Sequence, residues 1–148
     1  MKVSTMAEMM AAGTKPEVLF WVGCAGSFDQ RAQKITKAFA TILDKAGVVY
    51  AILGKEEACT GDPARRAGNE FMFQMMAYQN IQVMNAYEIK KIVTTCPHCF
   101  NTLKNEYPAL GGNYDVIHHT QFLQELIESG KIKISDSNEW KGKTITYH

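Results

Sequence analysis

Excess charge of either sign is missing. Sixteen Lys and Arg against fifteen Asp and Glu leave +1 over 148 residues, with no basic run anywhere. A nucleic-acid surface needs positive charge clustered on one face, so nucleic acid is excluded as a partner. Long apolar runs are missing too, and no stretch approaches the ~18 residues that span a bilayer. Residues 1–13 carry Glu8 and lack the apolar core of a secretory leader. There is no low-complexity segment and no complete internal repeat. A hydrophobic share of 46% excludes a disordered tail, and the length points to one domain. The expected setting is the cytoplasm, where thiols stay reduced. The chain has only four cysteines, and in that setting they need a role other than disulfides.

What is present reads as alternating strands and helices. Ser4 or Thr5 caps a short helix that Gly13 closes, and Pro16 bars its continuation. Val18 to Val22 is a continuous apolar run, the mark of a strand covered on both faces. Gly23 to Ser27 reads as a turn, followed by a helix bearing Ile35, Phe39, Ile42 and Ala46 at helical spacing. A second strand is predicted over Val48–Leu53 and a loop over Gly54–Gly61. Asp62 then caps a helix running to Tyr78, and Asn80 caps a short one from Ile81 to Ala86. Lys91–Thr95 is a third strand, leading into a helix that ends near Pro108. Tyr114–His118 is a fourth strand and Thr120–Ser129 a fourth helix, while Lys143–Tyr147 looks like the start of a further strand. This order predicts an α/β fold, an open parallel sheet of about four strands with helices on both faces.

The cysteines are Cys24, Cys59, Cys96 and Cys99, separated by 35, 37 and 3 residues. Cys24 follows strand one, Cys59 lies in the loop after strand two, and Cys96 follows strand three. All three loops leave a parallel sheet at its carboxyl edge, where sites assemble. Four thiols at one edge suit a tetrahedral sulfur site, for zinc or for an iron–sulfur cluster. Each loop leads into a helix start, whose free amides and positive dipole end favour thiolate. Gly23, Gly26 and Gly61 beside the thiols let the backbone approach something bulky. Two other readings compete. Free cysteines are often small buried hydrophobes, and Cys96-Pro97-His98-Cys99 has the form of a thiol–disulfide redox motif. Neither explains Cys24 and Cys59 in loops.

Val18–Cys24, Cys59–Arg66 and Val93–Leu103, with their cysteine spacing, resemble the cysteine-rich CCG domain of heterodisulfide reductases and of lactate-utilisation and glycolate-oxidase iron–sulfur subunits. The likeness spans residues 17 to 130. It implies that Cys24, Cys59, Cys96 and Cys99 are the cluster ligands, with Thr60, Gly61 and His98 around them. Thr60 stands where the family carries a paired cysteine, so an ordinary 4Fe-4S cubane, or zinc, is the simpler fit. Family members also carry two copies of the motif, and residues 136–148 fall where a second would begin. The division expected is a lead-in over 1–16, the cysteine-rich domain over 17–135, and a linker with the start of a further strand over 136–148.

Elsewhere, His118 and His119 end strand four on the same edge and read as helix-capping or surface residues. Arg65 and Arg66 could face an anionic cluster or solvent, and the methionines from Met72 to Met84 read as flexible core filler. No set of acid, base and nucleophile marks a substrate pocket. The resulting expectation is a cytoplasmic, iron–sulfur electron-transfer domain of a larger oxidoreductase. It would work with a redox partner protein or a second CCG-type half and could self-associate. A structural zinc module that mediates assembly, or a thiol–disulfide oxidoreductase using Cys96 and Cys99, is the alternative.

Overall fold

The computed structural model describes residues 3–135 and 141–146. Thr5 opens α1 (Met6–Ala11) through a capping box. Its hydroxyl accepts from the Glu8 amide at 3.2 Å, and the Glu8 carboxylate accepts from the Thr5 amide at 2.9 Å. Four strands, β1 (Val18–Trp21), β2 (Tyr50–Ala51), β3 (Lys91–Thr94) and β4 (Asp115–His118), form one parallel sheet in the order β2-β1-β3-β4. Leu19 pairs with both Ala51 and Ile92, and Thr94 pairs with His118. The chain moves one way from β1 to β2 and the other way to β3, so the order reverses beside β1.

Strand alternation sorts the core into two layers. Val18, Phe20, Tyr50 and Val93 pack with Phe39, Ala40 and Leu43 of α3 (Gln30–Lys45) and with Phe122 and Leu126 of α7 (His119–Glu128). Leu19, Trp21, Ala51, Ile92 and Val116 pack instead with Met6 of α1 and with Phe73, Ala77, Ile81 and Met84 of α5 (Glu70–Ala86). Cys99 of α6 (Pro97–Asn101), Leu103 and Tyr107 belong to this second layer. The expected parallel α/β sheet of four strands, with helices on both faces, is the observed one.

Several local expectations are corrected. Gly23 to Ser27 is not a turn but part of a short helix, α2 (Gly23–Phe28), since Gly23 at φ +77° lets the chain enter a helix directly from β1. The predicted second strand shrinks to Tyr50–Ala51, with Ile52 making one isolated bridge to Thr5. Gly61, not Asp62, stands before α4 (Asp62–Arg66), and Asp62 and Pro63 fill its first turn. The predicted helix from Asp62 to Tyr78 breaks at Gly68, and Asn69 caps α5 by accepting from the Met72 amide at 3.1 Å. Asn80 caps nothing, because α5 runs through it unbroken. After α6 the helical path loosens into a π turn (Thr102–Glu106) and tightens into a 3₁₀ turn (Tyr107–Leu110), passing Pro108. Lys143 to Thr146 form no strand, and Tyr147 lies outside the described residues. Among the methionines from Met72 to Met84 only Met84 is fully buried, whereas Met72 and Met75 lie on the outer side of α5.

Candidate metal centre

β1 and β3 are neighbours at the point where the strand order reverses, and their carboxyl ends splay the chain in opposite directions. Such a switch point opens a crevice at the carboxyl edge. Cys24 lies in the first turn of α2 after β1, Cys96 precedes the first residue of α6 after β3, and Cys99 is in that helix. Cys59 comes in from the loop before α4. All four are free thiols, graded from exposed Cys24 through half-buried Cys59 and Cys96 to buried Cys99.

Cys96 and Cys99 are directly coupled. The Cys99 thiol donates to Cys96, whose pKa falls to about 5, and the amides of Cys99 and His98 add to the stabilisation of the thiolate. Cys99 is pushed strongly upward by the same partner and by burial, and Cys24 and Glu57 lie near enough to push it further. Gly23 leaves room for this thiol, because a Cβ there would lie 3.2 Å from the Cys99 sulfur. Cys24 and Cys59 line a hollow of about 660 Å³ with Phe28, Lys55 and Glu57. The Gly61 amide donates to the Cys59 sulfur at 3.5 Å. Among the described residues, no three His, Cys, Asp or Glu side chains close on a single point as a lone ion requires.

Thr60 is buried, and its carbonyl accepts from the Tyr107 hydroxyl at 3.0 Å. His98 is largely exposed and turns its Nδ1 to the Asp62 carboxylate at 3.2 Å, while its charge also favours the Cys96 thiolate. His118 meets the Thr95 carbonyl at 3.3 Å and the Thr120 hydroxyl at 2.9 Å at the start of α7. Burial and the adjacent His118 lower the pKa of His119. Arg65 is held by Glu70 and Glu106 over the Phe73 ring, and Arg66 by Asp62 and Glu106, so neither faces the thiols. Two of the three glycines are also required by packing: a Cβ on Gly26 would strike Thr36 of α3, and one on Gly61 would strike Phe73 of α5.

Three residues that sequence reasoning missed hold the loops in place. Glu57 is half-buried, and its carboxylate accepts from the Val22 amide at 3.0 Å and the Gly23 amide at 2.6 Å, tying the second cysteine loop to the first. Burial raises its pKa to about 7 against the opposing pull of those two amides. Asn80 is fully buried, donates to the Cys59 carbonyl at 2.9 Å and accepts from the Ala58 amide at 3.2 Å. It also donates to the Tyr107 hydroxyl at 3.1 Å, so Asn80 and Tyr107 together clamp Ala58, Cys59 and Thr60 by their backbone. Asn80 had a signal, since it sits on the α5 face of Phe73, Ala77 and Met84 where an apolar residue belongs. Nothing in the pattern marks Glu57.

A parallel sheet covered on both faces, with thiols delivered to its switch point from three loops, defines a site-bearing α/β domain. The profile of the cysteine-rich domain family CCG matches residues 18–104, and the chain belongs to this family. It is 46% identical over 136 residues to the EtfAB:quinone oxidoreductase of Syntrophomonas wolfei, covering 92% of this chain and 19% of that protein. It is 46% identical over 147 residues to the probable iron-sulfur-binding oxidoreductase FadF of Bacillus subtilis, covering 99% and 20%. A polypeptide of the dihydromethanophenazine:CoB–CoM heterodisulfide reductase of Methanosarcina barkeri is 35% identical over 145 residues, covering 90% and 33%. The chain thus spans only a fifth to a third of these relatives. No solved structure matches it. Among the described residues, no helix is long and apolar enough to cross a membrane.

Proposed function

We propose that the chain is an iron–sulfur electron-transfer domain of a larger oxidoreductase, with Cys24, Cys59, Cys96 and Cys99 as ligands of a 4Fe-4S cluster. The observation that carries this reading is that the connections following β1, β2 and β3 bring four free thiols to the carboxyl edge of the sheet. Such a cluster stores and releases single electrons, and thiolates are its ordinary ligands. The donor set fits it. The Cys99 thiol and nearby amides favour the Cys96 thiolate, Gly23 clears space beside Cys99, and the Gly61 amide points at the Cys59 sulfur. The Trp21 indole N–H, at the carboxyl end of β1, is buried in the same packed layer as Cys99 without a hydrogen-bond partner.

Zinc and thiol–disulfide exchange are less well supported. Two of the relatives above carry iron–sulfur or heterodisulfide reductase in their names. In this reading the chain exchanges electrons with other redox proteins of its complex or with a second CCG-type half.

Anaerobic reconstitution followed by iron, sulfide and zinc analysis tests the assignment. Cys59→Ala and Cys96→Ala each lose the cluster or hold it weakly, while Thr60→Ala, which removes one hydroxyl, keeps it. A visible band that bleaches on reduction is expected. A colourless zinc protein, or a Thr60→Ala variant empty while Cys59→Ala stays loaded, overturns the reading.

A further inference from the structure

Asn80 and Tyr107 hold the Cys59 loop by its backbone, and Glu57 ties that loop to the arm of Cys24. A further side chain joins it to the helix of Cys96 and Cys99. Asp62 lies three residues after Cys59, in the first turn of α4, and is only 7% exposed. One of its carboxylate oxygens meets Nδ1 of His98, the residue between Pro97 and Cys99, at 3.2 Å. The other accepts from the hydroxyl of Thr102, three residues past Cys99, at 3.3 Å, and faces the Arg66 guanidinium at 3.3 Å. The path from Cys59 to this carboxylate has little slack. Thr60 is buried, and Gly61 sits at φ +86° with its Cα so close to α5 that a Cβ would come within 2.9 Å of the Phe73 ring. The charges of the ion pair are also unevenly placed. The Asp62 side chain is 9% exposed and that of Arg66 55%, so the negative charge lies inside and its cation at the surface.

We infer that Asp62 is a positioning residue of the centre: it sets the spacing between the Cys59 arm and the Cys96–Cys99 arm and keeps one negative charge beside them. The inference rests on the iron–sulfur reading above and adds the residue that spaces its ligands. Thiols carried on separate loops hold a common geometry only where the groups behind them are themselves fixed. A buried carboxylate with a hydroxyl, an imidazole and a guanidinium around it is fixed in direction, and losing it leaves those partners unsatisfied. Its position matches the role, since it is bonded on one side of the CxxC pair through His98 and on the other through Thr102. Net charge close to a cluster is one of the terms that set its potential, so the same carboxylate favours the oxidised state.

The test uses the full chain in two states, metal-free and anaerobically reconstituted. In the metal-free chain, mass spectrometry follows alkylation of each cysteine by iodoacetamide. Asp62→Ala speeds the reaction of Cys59 about tenfold, the size expected when hydrogen bonds to a charged group are lost. Cys24, on α2, reacts at its usual rate. Glu106→Gln is the control, because it takes a carboxylate from the same arginines but not from His98 or Thr102, and its Cys59 reacts as in the wild type. Asp62→Asn keeps an oxygen for Thr102 and loses only the charge. Its reconstituted cluster stays bound and its reduction potential, followed by spectroelectrochemical titration, moves upward, a change that a merely structural residue would not cause. The proposal is overturned if Cys59 of Asp62→Ala reacts as in the wild type, if Glu106→Gln speeds it as much, or if Asp62→Asn leaves the potential unmoved. Should Asp62→Ala fail to fold, the potential of Asp62→Asn decides. A wild-type chain that takes up no iron and sulfide, with Cys59 still unmasked by Asp62→Ala, would sink the cluster assignment and leave the spacing role standing.

Discussion

The two faces of the sheet are built from different materials. Under α3 and α7 the layer is mostly apolar and aromatic, with the Phe20 and Phe39 rings meeting edge-on at 5.1 Å, and among the described residues its polar atoms are few, the Tyr50 hydroxyl and the His119 Nδ1 that packs beside Phe39. Under α1, α5 and α6 the layer also holds Thr60, Asp62, Asn80, Thr94 and Thr102. Several of these are bonded to one another or clasp the cysteine loops: Thr102 donates to Asp62 at 3.3 Å, and Asn80 holds the backbone around Cys59. Burying polar groups is costly unless each is satisfied, and it brings specificity of geometry when they are. One face therefore supplies the cohesion of the fold, and the other spends some of that cohesion on placing thiols.

This contrast can be broken or sharpened by substitution. Phe20→Ala empties a fully buried site on the dry face and lowers stability by about 3–5 kcal/mol. Chemical denaturation measures the loss, and the folded fraction should still bind metal with unchanged stoichiometry. Asn80→Ala orphans the Cys59 carbonyl and the Ala58 amide, costing about 2–4 kcal/mol at about one to two per part-buried group left unpaired. Here metal uptake should fall along with stability, and normal uptake in a destabilised variant would erase the distinction between the faces. Gly23→Ala forces a side chain into the left-handed region beside the Cys99 sulfur, at about 1–2 kcal/mol from the backbone alone. It should slow reconstitution more than it lowers the melting temperature. Lys131→Ala removes an exposed pair with Glu17 at 3.4 Å, and no more than about 0.5 kcal/mol is expected.

The same division explains what is legible in the sequence. Continuous apolar runs at Val18–Trp21 and within Lys91–Thr94 reveal the parallel sheet, because burial on both faces leaves no alternation to disguise it. Cysteine spacing reveals the edge on which the thiols lie, since parallel strands send every following loop to one side. The clamps are harder to see. Asn80 resembles a helix cap because Asn so often is one, and only its tertiary partners at Ala58 and Cys59 turn it into an anchor. Glu57 depends on backbone amides at Val22 and Gly23, more than thirty residues away, for which no side-chain pattern exists. The exposed methionines of α5 mislead because apolar residues occur all round that helix, leaving no phase from which to tell inside from outside.

The π turn at Thr102–Glu106 has a consequence for chain length. An α-helix advances about 100° for each residue, so inserting or deleting one residue swings everything downstream around the axis by that amount. A wider turn absorbs an extra residue without breaking the helix, and such turns behave as single-residue insertions. Here the residue downstream that matters is Tyr107, whose hydroxyl must arrive beneath the Thr60 carbonyl. Removing one residue from this turn would shorten the chain very little, and a regular helix could close over the gap. It would also point Tyr107 to another quadrant and release the Cys59 loop from below, so the spacing from Cys99 to Tyr107 acts as an angular setting of the site.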